Sequence, residues 1–158
     1  MSQQDQQSVI GCLLKVGGAL LFLAVVLASV GYWFYGLDSS HSSRSTIWHE
    51  RVRGLTPHAA TDITLQLDFL DHYATYRISE ADLNAFLDLH FAFHGEDFDS
   101  RSERGAVRPE LVGKPVGRLG WVVPKGAVEY SFAARNGGVS TYYHDPATGW
   151  TYQESAHW

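Results

Sequence analysis

The feature that most constrains this chain is the stretch from Val16 to Tyr35, which contains no charged side chain. A helix needs about 20 mostly apolar residues, at about 1.5 Å per residue, to cross about 30 Å of hydrocarbon. The stretch is long enough to do so. We therefore predict a polar tail over residues 1–15 and a transmembrane helix over residues 16–36.

A cleaved signal peptide is the alternative interpretation of this stretch. Such a signal has a basic start, an apolar core of about 7–15 residues and a small-x-small cleavage site. Here Lys15 is the one basic residue before the stretch, the apolar run is longer, and the best exit, Ser29-Val30-Gly31, is a poor match. The stretch ends in Tyr32, Trp33 and Tyr35, side chains suited to a membrane–water interface. We expect a retained anchor with these three aromatic residues at the interface.

Small residues recur along the predicted helix. At about 100° per residue they fall within one arc of about 60°, and they are Gly17, Ala24, Ala28 and Gly31. Small side chains let two helix backbones approach closely inside a membrane. The pattern predicts packing against another membrane subunit or a second copy of this chain, although glycine and alanine are common enough in spans to form such a face by chance.

The charge and cysteine content exclude several classes of protein. The net charge is −5, and the basic residues are scattered among the acidic ones, so we expect no nucleic-acid partner. The single cysteine, Cys12, precedes the apolar stretch. The remainder of the chain therefore has neither disulfides nor thiolate metal sites.

The side of the membrane is indicated only weakly by charge. Lys15 precedes the span, whereas Arg44, Arg51 and Arg53 follow it, which by simple counting would favour a cytoplasmic domain. Counting is less informative for long domains, and a short polar tail before one anchor is typical of a domain held outside the cytoplasm. We expect an integral, single-pass protein of a bacterial inner membrane with an extracytoplasmic (periplasmic) C-terminal domain.

A serine-rich segment follows the span. The sequence LDSSHSSRS, residues 37–45, lacks apolar periodicity, so we predict a flexible linker and juxtamembrane segment over residues 37–61. Within it, residues 46–61 could form an amphipathic turn whose Ile47 and Trp48 enter the membrane surface, or a first strand. The sequence leaves both open.

Residues 62–158 have the patterns of a small α+β domain. Apolar and polar residues alternate from Ile63 to Phe69, as in a half-buried strand, and a second strand follows at 73–78. Ser79 is the expected N-cap of a helix that ends before Gly95. Residues 127–155 predict a three-stranded meander, because Asn-Gly and Asp-Pro turns separate its strands. We predict one helix packed on an antiparallel sheet that ends in this meander.

Residues 95–120 form a long connection with mixed charges and several glycines. Long connections without regular structure are uncommon in compact domains. We interpret this one as a solvated surface loop.

A histidine pair is the best candidate for a metal site. His90 and His94 are four residues apart, so both rings project from one helix face. Asp97, Asp99 and His144 are possible further ligands, since zinc requires three or four. The local sequence fixes only the first pair. A structural role near the helix end explains the pair as well, so we favour neither a metal nor another cofactor.

Aromatic residues crowd the predicted meander. Adjacent residues on a strand point to opposite faces, so Tyr142 and Tyr143 cannot both enter one core. The aromatic residues that the main core leaves over form a candidate binding surface, to which we assign Tyr142, Tyr143, Trp150 and Tyr152.

No motif in the sequence identifies a reaction. The chain has no G-x-S-x-G, H-E-x-x-H, phosphate-binding loop or dinucleotide fingerprint. The favoured hypothesis is a non-enzymatic accessory or scaffold protein whose anchor packs on another membrane helix and whose domain docks on an extramembrane partner. The alternatives are an anchored domain that binds lipid, glycan or envelope components through its aromatic surface, and a small metal-dependent enzyme that uses His90 and His94.

Overall fold

A computed structural model describes residues 3–35, 38–69, 71–94 and 103–156 of the chain. It divides the chain into an N-terminal helix and a separate compact domain. The helix, α1, runs from Gln3–Tyr35. Its segment Leu13–Tyr32 is 20 residues long and, by length and composition, apolar enough to span a membrane.

The domain is built on one antiparallel sheet. In chain order its elements are β1 (Ser39–Ser43), α2 (Glu50–Leu55), β2 (Thr61–Asp68), β3 (Asp71–Arg77), α3 (Glu80–His94), β4 (Glu103–Ala106), β5 (Pro115–Val116), β6 (Trp121–Val122), β7 (Val128–Ala133), β8 (Val139–His144) and β9 (Trp150–Ala156). Short 3-10 turns lie at Arg44–Thr46 and Pro109–Leu111. The predicted α+β class, with a helix and a terminal three-stranded meander, is confirmed.

The seven-stranded sheet has the order β1-β2-β3-β9-β8-β7-β4, and β5 and β6 form a separate pair. The last strand of the meander, β9, pairs with β3 from His72↔Ser155 to Arg77↔Trp150. This pairing joins the β2–β3 hairpin to the meander. Two segments far apart in sequence therefore share one continuous sheet.

Helix α3 begins where its sequence predicts. The Ser79 hydroxyl accepts a hydrogen bond from the Asp82 amide at 3.1 Å and donates one to the Asp82 carboxylate at 2.6 Å. These bonds satisfy an amide group that the first helical turn leaves without an intrahelical partner. The predicted stop at Gly95 lies outside the described residues.

One face of the sheet carries the larger core, which we call the helix-side core. Helix α3 contributes Leu83, Leu87 and Phe91 to it, and the 3-10 turn and α2 region contributes Ile47 and Val52. Strand residues fill the rest, and among them are Ile63, Leu65, Ala74, Tyr76, Tyr130, Phe132 and Tyr142. Burial of these apolar side chains is the main stabilising term of the domain.

The domain begins earlier in the chain than predicted, because part of the predicted linker belongs to the sheet. Residues 39–43 form edge strand β1, which pairs with β2 from Ser39↔Leu65 to Ser43↔Thr61. Ile47 is buried in the helix-side core, so it does not enter a membrane surface. The prediction of a flexible segment over 37–61 is thus wrong for β1 and α2. Serine and histidine suffice in β1 because an edge strand is held by backbone hydrogen bonds.

Candidate functional site

The small-residue face of α1 is open along the helix. Apart from its chain neighbours and the backbone of α1 itself, a Cβ atom placed on Gly17 or Gly31 would meet no atom within 4 Å. A shallow groove beside this face is lined by Leu13, Leu14, Gly17, Gly18 and Leu21. A second helix backbone could therefore approach α1 closely on the side of Gly17, Ala24, Ala28 and Gly31.

The predicted interface aromatics stand at the end of α1. Tyr32 is helical and exposed. Trp33 and Tyr35 are helical in backbone, and their side chains lie outside what the structure describes. Their assignment to the membrane–water interface stays a prediction.

The predicted aromatic binding surface is wrong for three of its four residues. Tyr142 lies in the helix-side core, whereas Tyr143 and Tyr152 are buried on the opposite face of the sheet. Trp150 is half-buried, 6.4 Å between ring centroids from Trp121 and with the Arg77 guanidinium over its ring. Tyr142 and Tyr143 do point to opposite faces of the sheet, as predicted. Both faces are covered, so these residues form no exposed aromatic surface.

Residues 107–127, which we call the cover segment, bury the second face. Val107, Val123 and Ala127 of this segment pack with Tyr73, Tyr143 and Tyr152 of the sheet. Leu111, Val116, Leu119 and Trp121 add partly buried contacts. The prediction of a solvated surface loop over 95–120 is therefore incomplete for its second half. Most residues from 108 to 120 are exposed, but Val107 is buried and Leu111, Val116 and Leu119 are partly buried against the sheet.

Polar contacts hold the cover segment closed. The Val107 amide donates to the Ala127 carbonyl at 3.4 Å, which brings the two ends of the segment together. Arg118 forms an ion pair with Asp68, and its guanidinium lies 5.6 Å from the centroid of the Tyr73 ring. Burial raises the pKa of Tyr152, and nearby Glu154 raises it further. The phenol of Tyr152 is thus held neutral, which suits a packing role.

His90 and His94 are adjacent, but His144 does not join them. Their ring centroids are 4.7 Å apart, and His90 also packs against Phe86 and against Phe132. His144 instead lies within electrostatic range of Glu80, at the other end of α3, and its Nδ1 is 2.9 Å from the Thr151 hydroxyl.

No three His, Cys, Asp or Glu side chains converge among the residues that the structure describes. Asp97 and Asp99 lie outside those residues. His90 itself is in an apolar setting, being 8% exposed. Burial lowers the pKa of His90 to about 4, with His94 as a second cause. Nothing in the described site therefore favours a metal at His90 over simple packing of its neutral ring.

A buried polar row crosses the middle of the helix-side face, and sequence reasoning did not identify it. The Tyr76 hydroxyl donates to Oε1 of Gln153 at 3.2 Å, and Nε2 of Gln153 donates to the Leu55 carbonyl at 3.3 Å. The Ser140 hydroxyl donates to the Ser155 hydroxyl at 2.8 Å. The sequence contains a pattern that could have indicated it. Thr151, Gln153 and Ser155 occupy alternate positions of β9, so they lie on one face of the sheet, where all three are buried.

The buried row ties α2 to the sheet. Ser140, Gln153 and Ser155 are all inaccessible to solvent, so a substrate cannot reach their polar atoms in this state. Buried polar groups with satisfied hydrogen bonds fix the packing of neighbouring elements. The row therefore acts structurally, by holding the end of α2 at Leu55 against β9.

Among the described residues of the domain, Trp48 is the most exposed aromatic residue, at 90%. Its neighbours on both sides, Ile47 and His49, are buried. The backbone around Trp48 is thus held in the fold while the indole points outward. An indole displayed in this way is a typical energetic centre of a protein interface.

Comparison with known proteins does not extend these observations. No family model, curated protein or solved structure matches this chain.

Proposed function

We propose that this chain is a non-enzymatic accessory or scaffold subunit, anchored in a membrane by α1, whose anchor packs on another membrane helix. The observation that carries the proposal is the open face of Gly17, Ala24, Ala28 and Gly31 on a helix long enough to span a bilayer. Lipid tails give no hydrophobic drive for helices to associate, so close packing at small residues is how such a face contributes to assembly.

The domain contributes the extramembrane part of the proposed function. Most of its described aromatic side chains pack in the two cores, which supports a recognition role over a catalytic one. Trp48 is the residue we assign to docking on a partner protein, because its indole is displayed by a rigid backbone. We further propose that the domain lies outside the cytoplasm of a bacterial cell, which a reporter enzyme fused at the C-terminus would test.

Replacement of Ala24 and Ala28 by isoleucine tests the anchor. The larger side chains hold a neighbouring helix away, so recovery of co-purifying chains in mild detergent should fall by about tenfold or more, equivalent to about 1.4 kcal/mol of association free energy. The measurement is affinity purification of the full-length protein, followed by identification of the bound chains. A second copy of this chain is detected in the same way with two different tags.

The matched control is Ala19→Ile combined with Val26→Ile. These positions lie on the opposite side of α1 at about 100° per residue, and the changes introduce the same isoleucine side chains there. The control should retain its partners. If the Ala24/Ala28 variant keeps the same partners as the control, α1 does not associate through this face.

A further inference from the structure

Three basic side chains meet near the start of the domain. Arg44 opens the 3-10 turn that follows β1, Arg53 lies in the last turn of α2, and His58 follows that helix. The Nε–H group of Arg44 donates to the Arg53 carbonyl oxygen at 2.7 Å, and Nη1 of Arg44 lies 2.7 Å from Nε2 of His58. Arg44 thus joins the three segments, and we call Arg44, Arg53 and His58 the basic cluster.

The basic cluster has no balancing carboxylate among the residues that the structure describes. The ion pairs of those residues lie elsewhere in the domain, and they are Arg104–Asp88 and Arg118–Asp68. Burial lowers the pKa of Arg44, and the nearby charge of Arg53 lowers it further. The two arginines therefore carry like charges that repel each other, and an anion bound to both would remove this repulsion.

Both guanidinium groups keep donors for an external ligand. The contacts with the Arg53 carbonyl and with His58 use two of the five N–H donors of Arg44. Within the described parts of the chain, neither Nη2 of Arg44 nor the guanidinium of Arg53 has a hydrogen-bond acceptor. Both arginines are half-buried and His58 is exposed. A ligand from solvent can therefore reach these donors, and charges that are partly buried are screened less by salt than exposed ones.

A phosphate group matches the charge of the basic cluster better than a carboxylate does. The planar guanidinium binds either group through paired N–H donors. One carboxylate balances the charge of only one arginine. A phosphate monoester carries a charge of about −1.5 to −2 at neutral pH and has three acceptor oxygens, so it can balance and bind both arginines.

We propose that the basic cluster is a binding site for a phosphate monoester group. The guanidinium groups of Arg44 and Arg53 are its ligands, and His58 orients Arg44 by contacting Nη1. The site goes beyond the proposed scaffold function, since it uses neither the anchor nor Trp48.

Thermal unfolding of the full-length protein in a non-ionic detergent tests the site. Its Tm is measured at about pH 8 over a series of inorganic phosphate concentrations, with sodium chloride keeping the ionic strength constant. A ligand that binds only the folded state stabilises it by mass action, so Tm should rise and the rise should give an apparent Kd. In Arg44→Gln and in Arg53→Gln this Kd should increase about tenfold or more, because each change removes one guanidinium ligand.

The matched control is Lys125→Gln, which removes the same charge at an exposed position of the cover segment. Phosphate also stabilises folded proteins by exclusion from their surfaces, and the control shares that effect with the variants. Arg53→Gln keeps the test valid if loss of the Arg44 contacts weakens folding. The same Kd in Arg53→Gln and in Lys125→Gln would overturn the proposal.

Three further ligands identify the chemistry and the source of the group. Acetate should leave Tm unchanged, and an equal effect of acetate and phosphate would overturn the assignment in favour of an acidic segment of a partner protein. Glycerol 3-phosphate carries the monoester on a soluble molecule, and phosphatidic acid in the micelle carries it on a lipid. A rise in Tm that Arg53→Gln abolishes supports the site with either ligand and assigns its source, whereas no such rise with phosphate or either ester would refute it.

Discussion

Some side chains that could bind a metal or a ligand are instead packed in the interior of this domain. His90 is a possible metal ligand in the sequence, but in the fold its ring lies between Phe86, His94 and Phe132. A ring in such a setting is stable only when neutral, since burial penalises its charged form. The same side chain can therefore serve as a core residue at neutral pH and as a source of instability in acid.

The pH dependence of stability follows from this setting. The folded-state pKa of His90 is about 4, below its ordinary value of 6.5. Between these two values the unfolded chain binds more protons than the folded one, so the contribution of His90 to the free energy of unfolding is lost as pH falls from about 6.5 to about 4. We expect urea unfolding of the full-length protein in detergent to show lower stability at pH 4.5 than at pH 7.

The variant His90→Phe isolates this residue from the other titrating groups. Phenylalanine keeps the aromatic contacts and cannot be protonated. The variant should therefore lose less stability between pH 7 and pH 4.5 than the unchanged protein does. Equal losses in both proteins would show that His90 is not protonated on unfolding.

Among the elements, the cover segment determines whether the second face of the sheet is exposed. It converts the second sheet face from a surface into a core by packing on Tyr73, Tyr143 and Tyr152. It lies close to the sheet at Gly117, which has φ +57° and whose added Cβ would overlap the phenol of Tyr152. Only glycine satisfies both the conformation and the space at this position.

Gly117→Ala should lower the free energy of unfolding by about 2–4 kcal/mol, the combined cost of an overpacked contact and a left-handed alanine. The control is Gly120→Ala, which has φ +63° but no atom within 4 Å of the added Cβ. It should lose only about 1–2 kcal/mol. Equal losses in urea unfolding would mean that the cover segment does not press on Tyr152.

For the whole molecule, the structure moves the start of the domain from the predicted Asp62 to the region of Ser39. Strand β1 covers the edge of β2, and Ile47 and Val52 enter the helix-side core from the segment before β2. The domain therefore begins almost directly after α1.

A fragment of residues 38–158 should fold, whereas a fragment of residues 62–158 should be strongly destabilised. Each fully buried aliphatic side chain contributes about 1.5–3 kcal/mol. Loss of Ile47 and Val52, and exposure of Ile63, should remove about 4 kcal/mol or more, a large part of a typical total of about 5–15 kcal/mol. Circular dichroism during urea titration measures the difference, and coincident transitions would restore the boundary at 62.

Local patterns were sufficient for the elements whose causes are local. The charge-free stretch predicts the part of α1 from residue 16 onwards, because length and apolarity alone decide whether a helix can span a bilayer. The helix itself begins earlier, at Gln3, within the predicted polar tail. Ser79 predicts the start of α3, and Asn136-Gly137 predicts the β7–β8 hairpin, because caps and tight turns depend on a few neighbouring residues. These elements could be predicted without knowing the rest of the fold.

Only the tertiary structure decided which surfaces are covered. Alternation along β8 shows that Tyr142 and Tyr143 point apart, but it does not show that residues 107–127 lie over one of them. In the same way, the serine-rich sequence of β1 has no apolar pattern that would predict a strand. It forms one because its backbone groups pair with those of β2. Contacts between residues distant in the chain set burial, and burial decides whether an aromatic or a histidine side chain packs or binds.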